Sequence, residues 1–212
     1  MWYVDSIGLV KTPRGVTIDG IQHPRNIFTL WSKVDLAAIG IKPASITPVD
    51  TRYNNTGEIT WNTSGAEAVG TYATTVRDVA GLKTEMKATV KSMASSSLSE
   101  SDWMHIREGD GGTAMPADWK TYRAAVRTTS NAKETEIDAL ADLDAVKAYE
   151  AHPVTYTRKT YDAAAETWGS PNETTDTTVN KVSWSEEGGH ADSWPIAPDH
   201  VADPSFVSVA NT

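Results

Sequence analysis

The sequence predicts an α+β fold with three regions along the chain. Residues 1–64 carry short apolar runs separated by Gly, Pro and Asn, a pattern typical of strands and turns. Residues 65–152 carry apolar residues at helical spacing, and residues 153–212 are acidic and poor in large aliphatic side chains. We therefore expect a small N-terminal β-rich module, a central long helix plus a helical hairpin, and an extended acidic C-terminal segment.

Three short strands are predicted in the N-terminal module, at residues 2–4, 15–18 and 58–61, where apolar residues alternate or cluster. The run Asn54-Asn55-Thr56-Gly57 lies just before the last of them. Because Asn and Gly adopt the positive φ of tight turns easily, this run predicts a hairpin turn.

One amphipathic helix is predicted between these strands, over residues 26–39. Ile27, Leu30, Trp31 and Val34 recur there at spacings of three, four and seven, which places them on one helical face. The helix is expected to end at Gly40, since glycine is favoured just after a helix.

A long helix is predicted over residues 65–97. Ser64 and Glu67 have the spacing of a capping box, in which each side chain bonds the other residue's backbone N–H. The apolar stripe of this helix consists of Tyr72, Val76, Val79, Met86, Val90 and Met93, with Leu82 at its margin. Two arrangements would cover the stripe: packing on neighbouring helices of the same chain, or self-association into a short bundle.

Two further helices are predicted, one beginning at Pro116 and one over about residues 132–150, closed by His152-Pro153. The first has an inward face of Trp119, Tyr122 and Val126, with Lys120, Arg123 and Arg127 outside or at its edge. The inward residues of the second are Ile137, Leu140, Leu143 and Val146. We expect residues 98–150 to form a helical hairpin with a core of Trp103, Trp119, Tyr122 and Ile137.

The C-terminal segment carries most of the chain's net charge of −9. From Thr160 to Thr212 there are nine Asp or Glu and one basic residue, Lys181, which leaves −8 there and −1 in residues 1–159. An edge strand is predicted at 154–157 and another strand at 179–184. The segment is expected to lie on partners instead of folding alone, with aromatic anchors at Trp168, Trp184, Trp194 and Phe206. The alternative is a small β domain centred on residues 179–184.

The composition excludes several classes of function. An acidic chain lacks the Lys/Arg surface that nucleic acids and anionic membrane surfaces require, and no apolar run is long enough to span a membrane. There is no cysteine, no helical His pair for a metal, and no P-loop or nucleophile motif. Glu186, Glu187, His190 and Asp192 are better explained as a solvated acidic turn than as a cation site. We therefore predict no catalytic residues, cofactor or metal.

Two stretches resemble phage proteins. The run from Leu98 to Glu108, containing Asp102-Trp103, and the run from Met115 to Arg127 resemble the phage tail assembly chaperone family, in which a Ser/Thr-Asp-Trp is followed by Pro and a Trp-x-x-Tyr-Arg-x-x-x-Arg helix. Pro116, Trp119, Tyr122, Arg123 and Arg127 occupy the second part of that motif. The run from Ile21 to Ile41 is similar to the His-Pro…Leu-Trp-Ser module of phage tail-fibre-associated proteins.

The resemblance implies a bacteriophage tail protein, and we expect a non-enzymatic part of the tail (a tail fibre, fibre attachment or baseplate part) that is assembled in the host cytoplasm and retained in the virion. Its partners would be other tail proteins, with the chain present as a homo-oligomer or in many copies. The alternative is a tail or tail-fibre assembly chaperone that is absent from the mature virion. The long upstream helix and the acidic segment extend beyond the chaperone hairpin and favour the retained component. A binding module or an unrecognised enzyme are the remaining alternatives.

Overall fold

A computed structural model of the protein describes residues 1–162, 167–185, 192–200 and 206–208, with side chains described except at 156–162, 167–175 and 206–208. The chain divides into two compact units, Met1–Arg77 and Asp78–Thr212. Both helices and strands are present, which confirms the predicted α+β class.

The N-terminal unit contains seven strands and two short helices among its described residues. They are β1 (Trp2–Val4), β2 (Gly8–Val10), β3 (Val16–Ile18), β4 (Ile21–His23), α1 (Ile27–Leu30), α2 (Lys33–Ala38), β5 (Ile41–Ile46), β6 (Asn54–Asn62) and β7 (Ala68–Val76). Five strands form a sheet in the order β2-β1-β5-β7-β6, in which β5 and β7 are parallel and the other neighbours antiparallel. The predicted strands at 2–4, 15–18 and 58–61 are confirmed.

A separate hairpin joins β3 to β4 through Asp19-Gly20. Both turn residues have positive φ, 51° at Asp19 and 80° at Gly20, as a two-residue type I′ turn requires. The hairpin contributes Val16 and Ile18 to the core of the unit. That core comprises Val4, Val10, Val16, Ile18, Ile27, Phe28, Leu36 and Ile41.

The single helix predicted over residues 26–39 is wrong. Trp31 is extended, with ψ of 148°, and Ser32 begins a new helix by accepting a hydrogen bond from the Asp35 backbone N–H at 3.2 Å. This break divides the predicted helix into two short helices, so the predicted continuous face does not form. The predicted end at Gly40 is confirmed, with φ of 75° at that residue.

The predicted turn at residues 54–57 is also wrong, because these residues lie inside β6. The chain instead turns just before the strand, where the Asp50 side chain accepts a hydrogen bond from the Arg52 backbone N–H at 2.9 Å and the Asp50 carbonyl accepts one from Asn54 at 3.1 Å. The Gly57 region forms an irregularity in the pairing of β6 with β7, between Thr56 and Ile59.

Residues 65–77 do not form the predicted beginning of the long helix. Ser64 donates its backbone N–H and its hydroxyl to Asn62 Oδ1, at 3.0 and 2.8 Å, so no capping box forms. Residues 68–76, which are rich in Thr and Val, form β7 between β5 and β6. Gly70 pairs with Trp61, and a Cβ at Gly70 would lie 3.0 Å from the Trp61 ring, so glycine makes room for that ring.

The C-terminal unit contains α3 (Val79–Ser99), α4 (Asp102–Gly109), α5 (Ala117–Ala139), α6 (Leu143–Glu150), β8 (His152–Asp162), β9 (Thr167–Val179) and β10 (Phe206–Ser208). Helix α3 begins at Asp78, whose carboxylate accepts the Gly81 backbone N–H at 3.0 Å. The buried residues of α3 are Leu82, Met86, Val90 and Ala94. Leu82, which the sequence pattern put at the margin of the apolar stripe, is therefore one of its buried residues.

Helices α3 and α5 pack antiparallel. Lys83 near the start of α3 donates to the Asp138 carbonyl near the end of α5 at 2.9 Å, and Arg123 near the start of α5 donates to the Leu98 carbonyl near the end of α3. Packing on a neighbouring helix therefore covers the stripe of α3, which confirms one of the two predicted arrangements.

Helix α5 is longer than predicted and continues to Ala139. The chain then breaks, and Asp142 caps α6 by accepting the Ala145 backbone N–H at 2.9 Å. The single helix predicted over 132–150 is therefore wrong, although its end just before His152-Pro153 is confirmed by the end of α6 at Glu150. Of its four predicted inward residues, Ile137 and Val146 are fully buried, whereas Leu140 and Leu143 are half-buried.

The strand predicted at 154–157 is part of β8, which pairs with β9 along its length and with β10 only at Thr157 and Arg158. The strand predicted at 179–184 is wrong. Strand β9 ends at Val179, and Asn180 then opens a turn in which its Oδ1 accepts the Val182 backbone N–H at 3.0 Å.

Candidate functional site

Trp119 and Tyr122 form the aromatic part of the interface between α5 and α3. Both are 7% exposed, and their rings meet edge to face with centroids 5.6 Å apart. Burial is the main cause that raises the pKa of Tyr122, whose hydroxyl lies 3.5 Å from the Ser97 carbonyl oxygen of α3. Their prediction as core residues is confirmed, although they pack on α3 and not on a helix within the predicted hairpin of residues 98–150.

Trp103 is not in that core, contrary to the prediction. It is 55% exposed on α4, a helix with no buried residue, and the Arg107 guanidinium lies 4.9 Å from its ring centroid. Helix α4 follows α3 after only two residues, and it contacts α5 through Asp102 and Glu108, while Trp103 stays outside the α3–α5 interface.

Arg123 is buried, whereas the sequence placed it outside or at the edge of the inward face. Its Nη1 donates to the Leu98 carbonyl and to Ser101 Oγ, both at 2.7 Å, and lies 2.9 Å from Asp102 Oδ1. Acceptors at the end of α3 and the start of α4 thus stabilise a cation that would otherwise be costly to bury. Arg123 fixes the junction of three helices.

A cavity of about 320 Å³ opens beside this junction. Its lining residues are His105, Glu108, Met115, Lys120, Arg123 and Arg127. Lys120 pairs with Glu108 at 2.5 Å, and this hydrogen bond is the main cause that lowers the pKa of Glu108. The cavity lining is cationic in a chain whose net charge is −9.

Trp194, predicted as a partner anchor, is instead 3% exposed. Its indole N–H donates to the Val182 carbonyl at 2.9 Å, and Val182 is itself buried. Trp184 is half-buried, and the side chain of Trp168 lies outside the side chains that the structure describes. The expectation that the C-terminal segment does not fold by itself is therefore wrong for residues 180–185 and 192–194.

Lys133 of α5 holds this part of the C-terminal segment. It is 3% exposed, and its Nζ donates to the backbone carbonyls of Lys181 and Asp192, both at 2.6 Å. Burial lowers the pKa of Lys133 to about 8, because the charged form loses water.

Charged and polar side chains surround the two carbonyls. Lys181 Nζ lies 2.7 Å from Asp192 Oδ1 and 3.2 Å from Glu136 Oε2. Burial opposes the charge of Lys181, but hydrogen bonds to Asp192 and Glu136 outweigh it and raise its pKa. His152 lies 3.2 Å from the second oxygen of Asp192, and the Tyr149 hydroxyl donates to Glu136 at 2.9 Å. These contacts hold the segment on α5 and α6.

The N-terminal unit presents exposed apolar side chains where the sequence predicted an inward helical face. Leu30 is 74% exposed, Val34 78% and Trp31 41%; we call these three residues the exposed apolar stretch. The Trp31 ring packs edge-on against His23, with centroids 5.8 Å apart. Ile27 from the predicted face is buried as expected, while the other buried positions, Phe28 and Leu36, were missed. Because the helix is interrupted at Trp31, the residues of the predicted face do not share one buried side.

Among the described residues, no group of three His, Cys, Asp or Glu side chains is arranged to hold a metal ion. Glu186, Glu187 and His190, weighed above as a cation site, lie outside the described residues. No helix in the described part of the chain is long and apolar enough to cross a membrane.

Comparison with known proteins gives no match: no family model, no curated protein and no solved structure is significantly similar to the chain.

Proposed function

We propose that the protein is a non-enzymatic structural component of a bacteriophage tail that acts through contacts with other tail proteins. It would be retained in the virion, in several copies, after assembly in the host cytoplasm. The identification with a tail comes from the two motif resemblances, and the mode of action comes from the surface of the N-terminal unit.

The exposed apolar stretch is the observation that supports this mode of action. Large apolar side chains that are exposed and close together in sequence on a folded unit are candidates for an interaction site, because covering them in a complex removes their contact with water. Leu30, Trp31 and Val34 fall within the run that is similar to the His-Pro…Leu-Trp-Ser module of tail-fibre-associated proteins. We therefore place the contact with a tail partner there.

The motif that resembles the chaperone family has a different role, which is to stabilise the fold. Trp119, Tyr122 and Arg123, which carry the resemblance to the chaperone family, lie inside the helical unit and join α5 to the end of α3. In this account Trp119 and Tyr122 stabilise the unit from inside and do not touch a partner.

Mass spectrometry of purified, washed phage particles tests the proposal. Retention predicts that the protein is detected at a copy number compatible with the symmetry of the tail. Abundance in the infected lysate together with absence from washed particles would overturn retention and support the assembly chaperone.

A further inference from the structure

The cavity at the junction of α3, α4 and α5 has the charge of an anion site. Lys120, Arg123 and Arg127 contribute three positive charges to its lining and Glu108 one negative charge, so the lining carries +2 with His105 neutral. Residues 1–159 as a whole carry −1. Such a local excess of positive charge attracts carboxylates and repels cations.

The three cationic side chains differ in whether they already pair with a carboxylate of the same chain. Lys120 is paired with Glu108, and Arg123 with Asp102. Arg127 is exposed, and in the part of the chain that the structure describes it makes no ion pair, only a long hydrogen bond of 3.4 Å to the Arg123 carbonyl. Its planar guanidinium is suited to bind a carboxylate through two parallel hydrogen bonds.

The size of the cavity favours a side chain over a larger ligand. About 320 Å³ is at the lower end of small-molecule pockets, which span roughly 300–1,000 Å³. One buried apolar residue, Met115, lies in the lining beside the charged groups. The cavity can thus accept the methylene stem and the carboxylate of one or two Glu or Asp side chains.

We propose that this cavity binds an acidic peptide segment, and that the segment comes from the C-terminal region, residues 160–212, of a second copy of the chain, outside residues 180–185 and 192–194, which are held on α5 and α6 of their own copy. That region carries nine carboxylates and one basic residue, so each copy supplies both the cationic cavity and an acidic ligand for it. A contact between unlike surfaces of identical chains is heterologous, and it builds rings or rows of copies. The inference is independent of the tail assignment, since it concerns the purified protein alone.

Sedimentation velocity of the full-length chain tests it, over a range of protein and salt concentrations. We expect concentration-dependent association that weakens as salt rises, because screening acts on exposed charges. Arg127→Gln should weaken association about tenfold or more, as loss of a charge-assisted hydrogen bond predicts. Lys91→Gln is the matched control: it removes an exposed positive charge from α3, away from the cavity lining, and should leave association unchanged.

A mixing experiment makes the test specific to this pair of surfaces. A second variant with Glu166→Gln, Glu186→Gln and Glu187→Gln reduces the charge of residues 160–212 from −8 to −5. Each variant alone should associate weakly, whereas their mixture should regain association, because one copy supplies an intact cavity and the other an intact acidic segment. A protein that is monomeric throughout, association unaffected by Arg127→Gln, or a mixture no stronger than its components would each overturn the inference.

Discussion

The ammonium group of Lys133 lies 2.6 Å from the backbone carbonyl oxygen of Asp192, 59 residues further along the chain. The same group donates to the Lys181 carbonyl, so one buried side chain of α5 holds both ends of a stretch of the C-terminal segment. An acidic region that is poor in aliphatic residues thus gains tertiary structure from a polar contact, supported by the burial of Val182 and Trp194.

The stability of the protein should increase between about pH 8 and pH 10 through Lys133. Its folded pKa of about 8 is below the unfolded value of 10.5, so in this interval the unfolded chain binds a proton that the folded protein has released. The free energy of unfolding then rises with pH. A neutral amine retains two N–H donors for the two carbonyls, so the contact survives deprotonation. Above about pH 10 the raised pKa of Tyr149 acts in the opposite direction.

Urea denaturation at several pH values measures this effect, with Lys133→Met as the comparison. The variant should be less stable at pH 7, since two buried carbonyls lose their donor at roughly 1–3 kcal/mol each. It should also lack the increase between pH 8 and pH 10. The same pH profile in both proteins would contradict a buried, proton-releasing Lys133.

Substitution of the two tryptophans at the helical junction should have unequal effects. Trp119→Ala should lower the free energy of unfolding by roughly 3–5 kcal/mol, because it leaves a cavity between α3 and α5. Trp103→Ala removes a ring that is 55% exposed and should change it by less than about 1 kcal/mol. Chemical denaturation midpoints compare the two. Equal losses would mean that Trp103 belongs to the core after all.

Amide hydrogen exchange on the isolated protein should show protection in part of the C-terminal segment. The Lys181 amide donates to the Tyr149 carbonyl at 3.1 Å and the Trp194 amide to the Trp184 carbonyl at 2.9 Å, and both bonds lie beside buried side chains. These two amides should exchange slowly, whereas the amide of exposed Asp110 at the end of α4, a helix with no buried residue, should exchange faster. Rapid exchange at Lys181 and Trp194 would restore the view that the segment orders only on a partner.

Local periodicity was a reliable guide where one helical face packs on one neighbour. Trp119, Tyr122 and Val126 on α5 were assigned correctly, because their spacing alone places them on one side. The same reasoning failed at residues 68–76, where Tyr72 and Val76 have helical spacing by chance. Pairing with β5 and β6 decided the structure there, and such pairing depends on residues distant in sequence.

The polar part of the candidate sites could not be predicted for a related reason. A buried cation needs acceptors, and those of Arg123 and Lys133 are mostly backbone carbonyls 25 to 59 residues away. Every residue carries a backbone carbonyl, so the pattern of side chains in the sequence does not indicate which carbonyls will act as acceptors. The exposed apolar stretch was likewise not predicted, because Ser32 can either continue a helix or cap a new one, and the cap separates Val34 in α2 from Ile27 and Leu30 in α1.

We propose that the protein enters the virion through the exposed apolar stretch of its N-terminal unit. This mode of entry is tested most directly by quantitative mass spectrometry of washed particles from host cells that express tagged copies of the chain during infection. Leu30→Ser combined with Val34→Ser should be incorporated at least about tenfold less than the tagged wild type, since each apolar side chain buried at a contact contributes roughly 1.5–3 kcal/mol. Val76→Ser, which changes a 63% exposed valine of the same unit, should be incorporated normally. Equal incorporation of the double variant at equal lysate levels, or absence of the wild type from particles, would contradict the account.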